Sequence, residues 1–304
     1  MSTGAAHARA APPTCVPRGV RPQLEDLLGL RRYGAAMRRF FVLEDEAQAG
    51  GRFPLARSHG MDYAESRPYT PGDDVRRIDW RVTARTGRAH TKIFVPERGG
   101  DVMCLLDQRA PMRFGTRAAF KSVVAAHVAA LAGWAAAACG RRFGACVAGT
   151  DPWRIPAGAA EGAAAALCAL LAAPQRLIDE SLERLAMRVA EETARGTRFV
   201  VVSDFAEPAD ALERTLRPLR ARGELVLVCV RDQFEEHLPA PARYLLTDGE
   251  ALLALDTADA AVRAAHAREA QAHRARLLAL GGRHGTRCRF LRTGDDLLAV
   301  HDTP

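Results

Sequence analysis

The chain has 304 residues, 48% of them hydrophobic, and a formal net charge of +7, which bounds it to one large or two modest domains with a real core. The positive excess is almost all arginine, because Lys92 and Lys121 are the only lysines; the arginines are interleaved with Asp and Glu rather than gathered into a basic stripe with aromatics, which argues against a nucleic-acid binder. Seven cysteines with no CxxC pair argue against a disulfide framework or a zinc site, and no uninterrupted apolar run reaches the roughly 18–20 residues of a membrane helix.

Residues 1–22 hold alanines, prolines and arginines without an apolar h-region. They read as a disordered lead rather than a secretory signal, so a cytoplasmic protein without stable membrane insertion is expected. In the segment 23–50, Leu24, Leu27, Leu28, Met37, Phe40, Phe41 and Leu43 return at helical spacing, and Gly50-Gly51 ends it. Residues 51–98 form a charged module containing RPYTPGDDVRRIDWRVTAR (67–85) and the strand-like HTKIFVPE (90–97). In it Pro71-Gly72 predicts a tight turn. Asp73 or Asp74 can cap the short turn holding Val75 and Ile78. Asp79 can cap the turn starting at Trp80, with Arg85 near its far end complementing the dipole. Trp80 and Ile78 are expected to anchor the module on the main sheet, and its alternating charges to pair across the turn.

From 99 to 304 the pattern alternates. DVMCLLD (101–107), FGACVAG (143–149), RFVVVSDF (198–205) and ELVLVCV (224–230) read as buried strands, and WRIP (153–156) as a short one. Helices are expected over 116–139, 159–173, 176–195, 208–221 and 259–280, with RYLLTDGEALLALD a hairpin around Asp248-Gly249 and TRCRFL a last strand. Strands spaced by helices predict an α/β fold with a doubly wound, mostly parallel sheet. His127 falls on the apolar face of the first of these helices and reads as a core histidine; His59 and His90 read as surface loop residues.

Asp107 and Asp204 both follow apolar strands, at the end where ligands bind in doubly wound sheets. They can cap the following turns, or they can share a site. Around the first strand–helix loop, DQRAPMRFGTR carries one glycine and no phosphate-binding pattern. An aspartyl nucleophile of the phosphotransferase kind would want a second carboxylate two residues on, where Arg109 stands. Magnesium would want several hard oxygen ligands.

A strand ending in Asp, a helix and a later SDF strand resemble a von Willebrand factor type A (VWA) domain. The resemblance implies a metal-ion-dependent adhesion site beginning Asp-x-Ser-x-Ser. Here the run is Asp107-Gln108-Arg109-Ala110-Pro111: the first acid is kept, both serine places are lost, and Asp204 matches the later acid. A guanidinium about 4 Å from a divalent cation would be repelled by roughly 8 kcal/mol at an effective dielectric near 20. The site is therefore expected to be degenerate, with no cofactor, and Arg109 to pair with Asp107 or Asp204.

The stretch from Asp62 to Asp107 resembles the domain of unknown function 58 (DUF58) family through Arg67, Tyr69, Pro71-Gly72-Asp73, Arg77-Ile78-Asp79-Trp80, Ala84-Arg85 and Glu97. That resemblance implies a non-enzymatic adaptor working with a MoxR-type AAA+ ATPase, and with other VWA-domain proteins, in protein-complex or metallocofactor maturation. Arg67, Tyr69, Asp73, Asp74, Arg76, Arg77, Asp79, Trp80 and Arg85 are the candidate partner-binding residues, since arginine and aromatics dominate interface hot spots. The alternatives are a metal-dependent VWA-type binding module and an Asp107-dependent hydrolase or phosphotransferase. No GxSxG, HExxH or triad-like spacing supports the enzyme reading.

Overall fold

The computed structural model describes residues 14–41, 61–69, 78–96, 100–151, 154–174, 176–247, 252–283 and 285–299. They belong to two compact units, Asp45–Gly100 and, separately, Met1–Glu44 with Asp101–Pro304.

The expected disordered lead does not hold for residues 14–22. The Cys15 N–H donates to Asp296 Oδ1 at 2.8 Å, and Gly19 exchanges backbone hydrogen bonds with Ala118 and Phe120 at 2.9 and 3.1 Å. Such pairing satisfies main-chain groups that a free tail would leave to water. The helical spacing that follows is broken: α1 covers only Leu24–Gly29, and 3-10 turns at Leu30–Tyr33 and Ala36–Arg38 continue it. Leu27, Leu30, Met37, Phe40 and Phe41 are nonetheless buried. The indole N–H of Trp134 donates to the Leu27 carbonyl at 3.0 Å, tying this segment to the main core.

The smaller unit pairs β1 (Met61–Pro68) antiparallel with β2 (His90–Pro96) and sets α2 (Trp80–Thr86) beside them. Asp79 caps α2 as expected: its Oδ1 accepts from the N–H groups of Arg81 and Val82, both at 3.1 Å. Gly87, at φ +68°, closes the helix in the left-handed region that glycine enters freely. Trp80 departs from expectation. It opens the helix with its side chain 71% exposed, so it does not pack into the small unit's own interior. Ile78, half-buried, bridges to Thr91 instead.

The larger unit continues with β3 (Val102–Asp107), α3 (Lys121–Ala138), β4 (Arg142–Ala148), β5 (Thr150–Asp151), β6 (Arg154–Ala159), α4 (Ala160–Ala172), β7 (Arg176–Leu177) and α5 (Leu182–Glu192). Then come β8 (Thr197–Ser203), α6 (Ala209–Arg220), β9 (Gly223–Arg231), α7 (Gln233–Glu236), β10 (Arg243–Thr247), β11 (Leu252–Asp256), α8 (Ala260–Gly281) and β12 (Thr286–Arg292). Six strands make the central sheet in the order β12-β9-β8-β3-β4-β6; every pairing is parallel except β4 with β6. β10 and β11 form the expected hairpin apart from the sheet, and its turn lies outside the described residues.

Alternation sorts each strand between two cores. Cys104, Leu106, Val200 and Val202 face the layer that holds α3 and α4, whereas Met103, Leu105, Phe199 and Val201 face the layer of α5, α6 and α8. α3 is long and apolar enough to cross a membrane by length and composition, but it is a core helix with 89% of its length buried in the protein. From β3 the chain steps to β4 on one side, then returns to β8 on the other. The crevice between β3 and β8 is thus the topological switch point, where doubly wound sheets bind ligands.

Candidate functional site

Asp107 closes β3 and Ser203 closes β8, so the switch point brings together side chains that are 96 residues apart in the chain. Ser203 Oγ donates to Asp107 Oδ2 at 2.7 Å and accepts from the Phe205 N–H at 3.1 Å. Ser203 is fully buried and Asp107 is 1% exposed. A carboxylate so deep needs a counter-charge, and Arg109 supplies it. The Arg109 backbone N–H and Nε donate to Oδ1 at 3.0 and 2.9 Å, and Nη2 donates to Oδ2 at 2.7 Å. Nη2 also binds Glu207, just beyond β8. Burial opposes the guanidinium's charge, but the hydrogen bonds and charges of Asp107 and then Glu207 overcome it, so Arg109 is held more firmly protonated than usual. Pro111, in the second serine place, forms part of a 3-10 turn over Ala110–Met112. Gly149, at φ +86°, lets the β4 end pass close by: a Cβ there would lie 2.9 Å from the Arg109 backbone.

Asp204 has a different partner. Lys121 Nζ donates to Asp204 Oδ2 at 2.6 Å and to Glu235 Oε1 at 2.7 Å, with the lysine side chain only 1% exposed. Lys121 is the first residue of α3, where a cation works against the helix dipole. The two carboxylates outweigh that local penalty. Glu235 is fixed in turn by a capping box, accepting from the Asp232 N–H at 2.8 Å. Asp232 receives the N–H and hydroxyl of Thr116 at 3.0 and 2.6 Å and the Thr293 hydroxyl. Burial pushes the Asp232 carboxyl up, yet these hydrogen bonds bring it below its ordinary value.

The sequence reading placed Asp107, Arg109 and Asp204 here and missed Lys121, Ser203, Glu207 and Glu235. Arg109 chooses Asp107 of its two expected partners. A divalent cation among Asp107, Ser203 and Asp204 would meet two fixed positive charges already bonded to its acids, so these residues do not fit the metal that the VWA resemblance implies. Among the described residues, no three His, Cys, Asp or Glu side chains gather to hold a metal ion. Among the described residues no histidine hydrogen-bonds the Ser203 hydroxyl, which donates to Asp107 and accepts from the Phe205 N–H.

The β8–α6 loop is held from behind. Phe205, buried, is the non-glycine residue at positive φ (+50°) among those described, a conformation that costs on the order of 1–3 kcal/mol. His273 of α8 fixes it, its Nε2 donating to the carbonyls of Asp204 and Phe205 at 2.9 and 3.0 Å. Burial, then the charge of Arg231, pushes the His273 pKa below its ordinary 6.5; burial does the same to His127, whose Nδ1 bonds the Val123 carbonyl at 2.8 Å. Because the folded values lie below 6.5, the unfolded chain takes up these protons first. Stability is full above 6.5 and falls as pH drops through it toward the folded values. We expect the melting temperature to drop between about pH 7.5 and pH 5.5, and His273→Gln to flatten part of that slope in thermal unfolding. An unchanged slope would remove His273 from this account.

In the smaller unit, Tyr69 is half-buried and donates its N–H to the Ala89 carbonyl at 2.8 Å, and Arg67 lies on β1. Asp79 is buried as the cap, whereas Trp80 and Arg85 are exposed. Asp73, Asp74, Arg76 and Arg77 lie outside the described residues. His90 is half-buried rather than loose: its Nδ1 lies 2.7 Å from the Arg88 carbonyl.

Comparison with known proteins bears on the whole arrangement. The sequence profile of the family described as "Protein of unknown function DUF58" matches residues 65–276. "Uncharacterized protein Rv1480" of Mycobacterium tuberculosis (strain H37Rv) is 32% identical over 256 residues, covering 82% of this chain and 80% of that protein. "Uncharacterized protein YeaD" of Bacillus subtilis is 30% identical over 119 residues, covering 31% of this chain and 29% of its own. Among solved structures, the conserved hypothetical protein BatB from Bacteroides thetaiotaomicron aligns with 66% of this chain and 93% of its own, at 11% identity and a TM-score of 0.36.

Proposed function

This chain belongs to the DUF58 family, and from that premise we propose that it is a non-enzymatic adaptor working beside a MoxR-type AAA+ ATPase in protein-complex or metallocofactor maturation. The ATPase, and any other VWA-domain partner, comes from the family resemblance. The adaptor role is supported by one observation: at the switch point, both acids available for chemistry or metal binding are already neutralised by Arg109 and Lys121. A general base needs a free pair of electrons, and a metal site needs free oxygens. Bonded to internal cations, Asp107 and Asp204 serve instead to hold the loops at the C-terminal edge of the sheet.

Affinity purification of the tagged chain from its own host tests the reading, and an AAA+ ATPase is the expected co-purifying protein. A phosphatase and esterase screen should find no activity that Asp107→Asn abolishes. Such an activity, or repeated purification without an ATPase, would overturn the proposal.

A further inference from the structure

α2 carries an unpaired cationic face beside an exposed indole, and we infer that this face docks an acidic segment of a partner protein. The inference rests on the adaptor reading and specifies the chemistry of its contact.

The one acid in this stretch is spent internally. Asp79 is 7% exposed and turned onto the helix start, accepting from the Arg81 and Val82 N–H groups. The inner side of the helix is committed to β2: Thr83 Oγ1 accepts from the His90 N–H at 3.0 Å, and Val82 and Thr83 are half-buried. What remains faces water. Trp80 is 71% exposed, with exposed Ala84 one turn on, and Arg81 and Arg85 make a second exposed pair at the same spacing. Arg88 follows, exposed, just past Gly87. None of the three arginines makes an ion pair with the described residues.

Several surface arginines of the larger unit are paired: Arg214 binds Glu183 and Asp210, Arg283 binds Glu213, and Arg31 binds Glu161. Others there, such as Arg184, Arg217 and Arg268, are exposed and make no ion pair with the described residues. What sets α2 apart is its exposed indole beside the cations. Like charges four residues apart destabilise an isolated helix, and an exposed tryptophan leaves a large apolar surface in water. Carboxylates brought by a partner would relieve the first, and an apolar side chain between them would cover the second. Arginine's planar fork matches a carboxylate in two hydrogen bonds. Two arginines and one aromatic on a helix of seven residues, with Arg88 just beyond it, are too few to track a nucleic-acid backbone, which is bound through extended basic grooves with repeated stacking.

The probe is a fluorescein-labelled, glutamate-rich peptide with a central leucine, titrated against the full chain by fluorescence anisotropy. Its glutamine counterpart and a labelled oligothymidine serve as controls. The glutamate peptide should bind, and salt should weaken it. Arg81→Glu/Arg85→Glu should reduce affinity roughly tenfold or more, and Trp80→Ala should weaken binding while keeping the salt dependence. Equal binding of the glutamine peptide, unchanged affinity in the charge-reversed chain, or tighter binding of oligothymidine would overturn the inference. Thermal unfolding checks that each variant is folded, and Trp80→Ala carries the test should the charge reversal fail to fold. ATPase recovery by the charge-reversed chain as well as the wild type overturns the docking face and leaves the adaptor standing. Peptide binding with no ATPase recovered by either overturns the adaptor and leaves the face.

Discussion

Lys121→Met should cost about 3–5 kcal/mol of stability, because it removes the partner of a buried charge while keeping the aliphatic stem. The lysine side chain is 1% exposed and Asp204 is 3% exposed. Without the ammonium, the Asp204 side chain keeps only the Ala206 N–H, at 3.2 Å. For a domain of this size the loss corresponds to a fall in melting temperature of roughly 10 °C. The cost belongs to the stranded carboxylate rather than to any net gain from the ion pair. Lys121→Met combined with Asp204→Asn should therefore recover a large part of it, since replacing both members of a buried pair is far cheaper than removing one. Thermal and urea unfolding of the two single variants and the double variant make the cycle. A loss below about 1 kcal/mol in Lys121→Met, or a double variant no better than the single, would show that Lys121 does not neutralise Asp204.

Lys121 also marks where the sequence stopped being informative. VMCLLD and RFVVVSD identify themselves as strands that end in acids, because an apolar run closed by Asp has few other readings. Arg109 was legible through the VWA resemblance, because it stands in the first serine place, two residues from Asp107. Lys121 lies 83 residues from Asp204 at the head of an alanine-rich helix, and a lysine there reads as a solvated end. Only the packing of α3 across the sheet turns that first turn inward. Its being one of two lysines among many arginines was a faint signal. Glu235 had a clearer one: Asp232 and Glu235 stand at the spacing of a capping box.

Helical spacing found the buried residues of the N-terminal segment but not its shape. Leu27, Met37, Phe40 and Phe41 are in the core, yet 3-10 turns replace the long helix, since the segment follows the surface of α3 rather than its own periodicity. Trp80 misled for the opposite reason. A tryptophan in a charged stretch is expected to be buried, but Trp80, the first residue of α2, is 71% exposed, because the helix turns Val82 and Thr83 rather than Trp80 toward its inner side.

Arg109→Ala should destabilise less than Lys121→Met, by about 1–3 kcal/mol, although Arg109 makes more hydrogen bonds. The decisive difference is access to water. Arg109 is 21% exposed and Glu207 23%, so solvent can reach the space the guanidinium vacates, whereas it cannot reach Lys121. Asp107 would retain the Ser203 hydroxyl at 2.7 Å and the residue 109 backbone N–H at 3.0 Å. Arg109→Ala combined with Asp107→Asn should regain most of the loss, giving a coupling energy of about 1–3 kcal/mol between the two sites. The same pair bears on the metal question. Titration calorimetry of the wild type with Mg²⁺ or Mn²⁺ should give no binding at micromolar concentrations, because Arg109 and Lys121 hold the acids that would ligate it. Micromolar binding that Asp107→Ala abolishes would mean that Arg109 yields to a metal, and the acids at the switch point would then be a working site rather than a neutralised one.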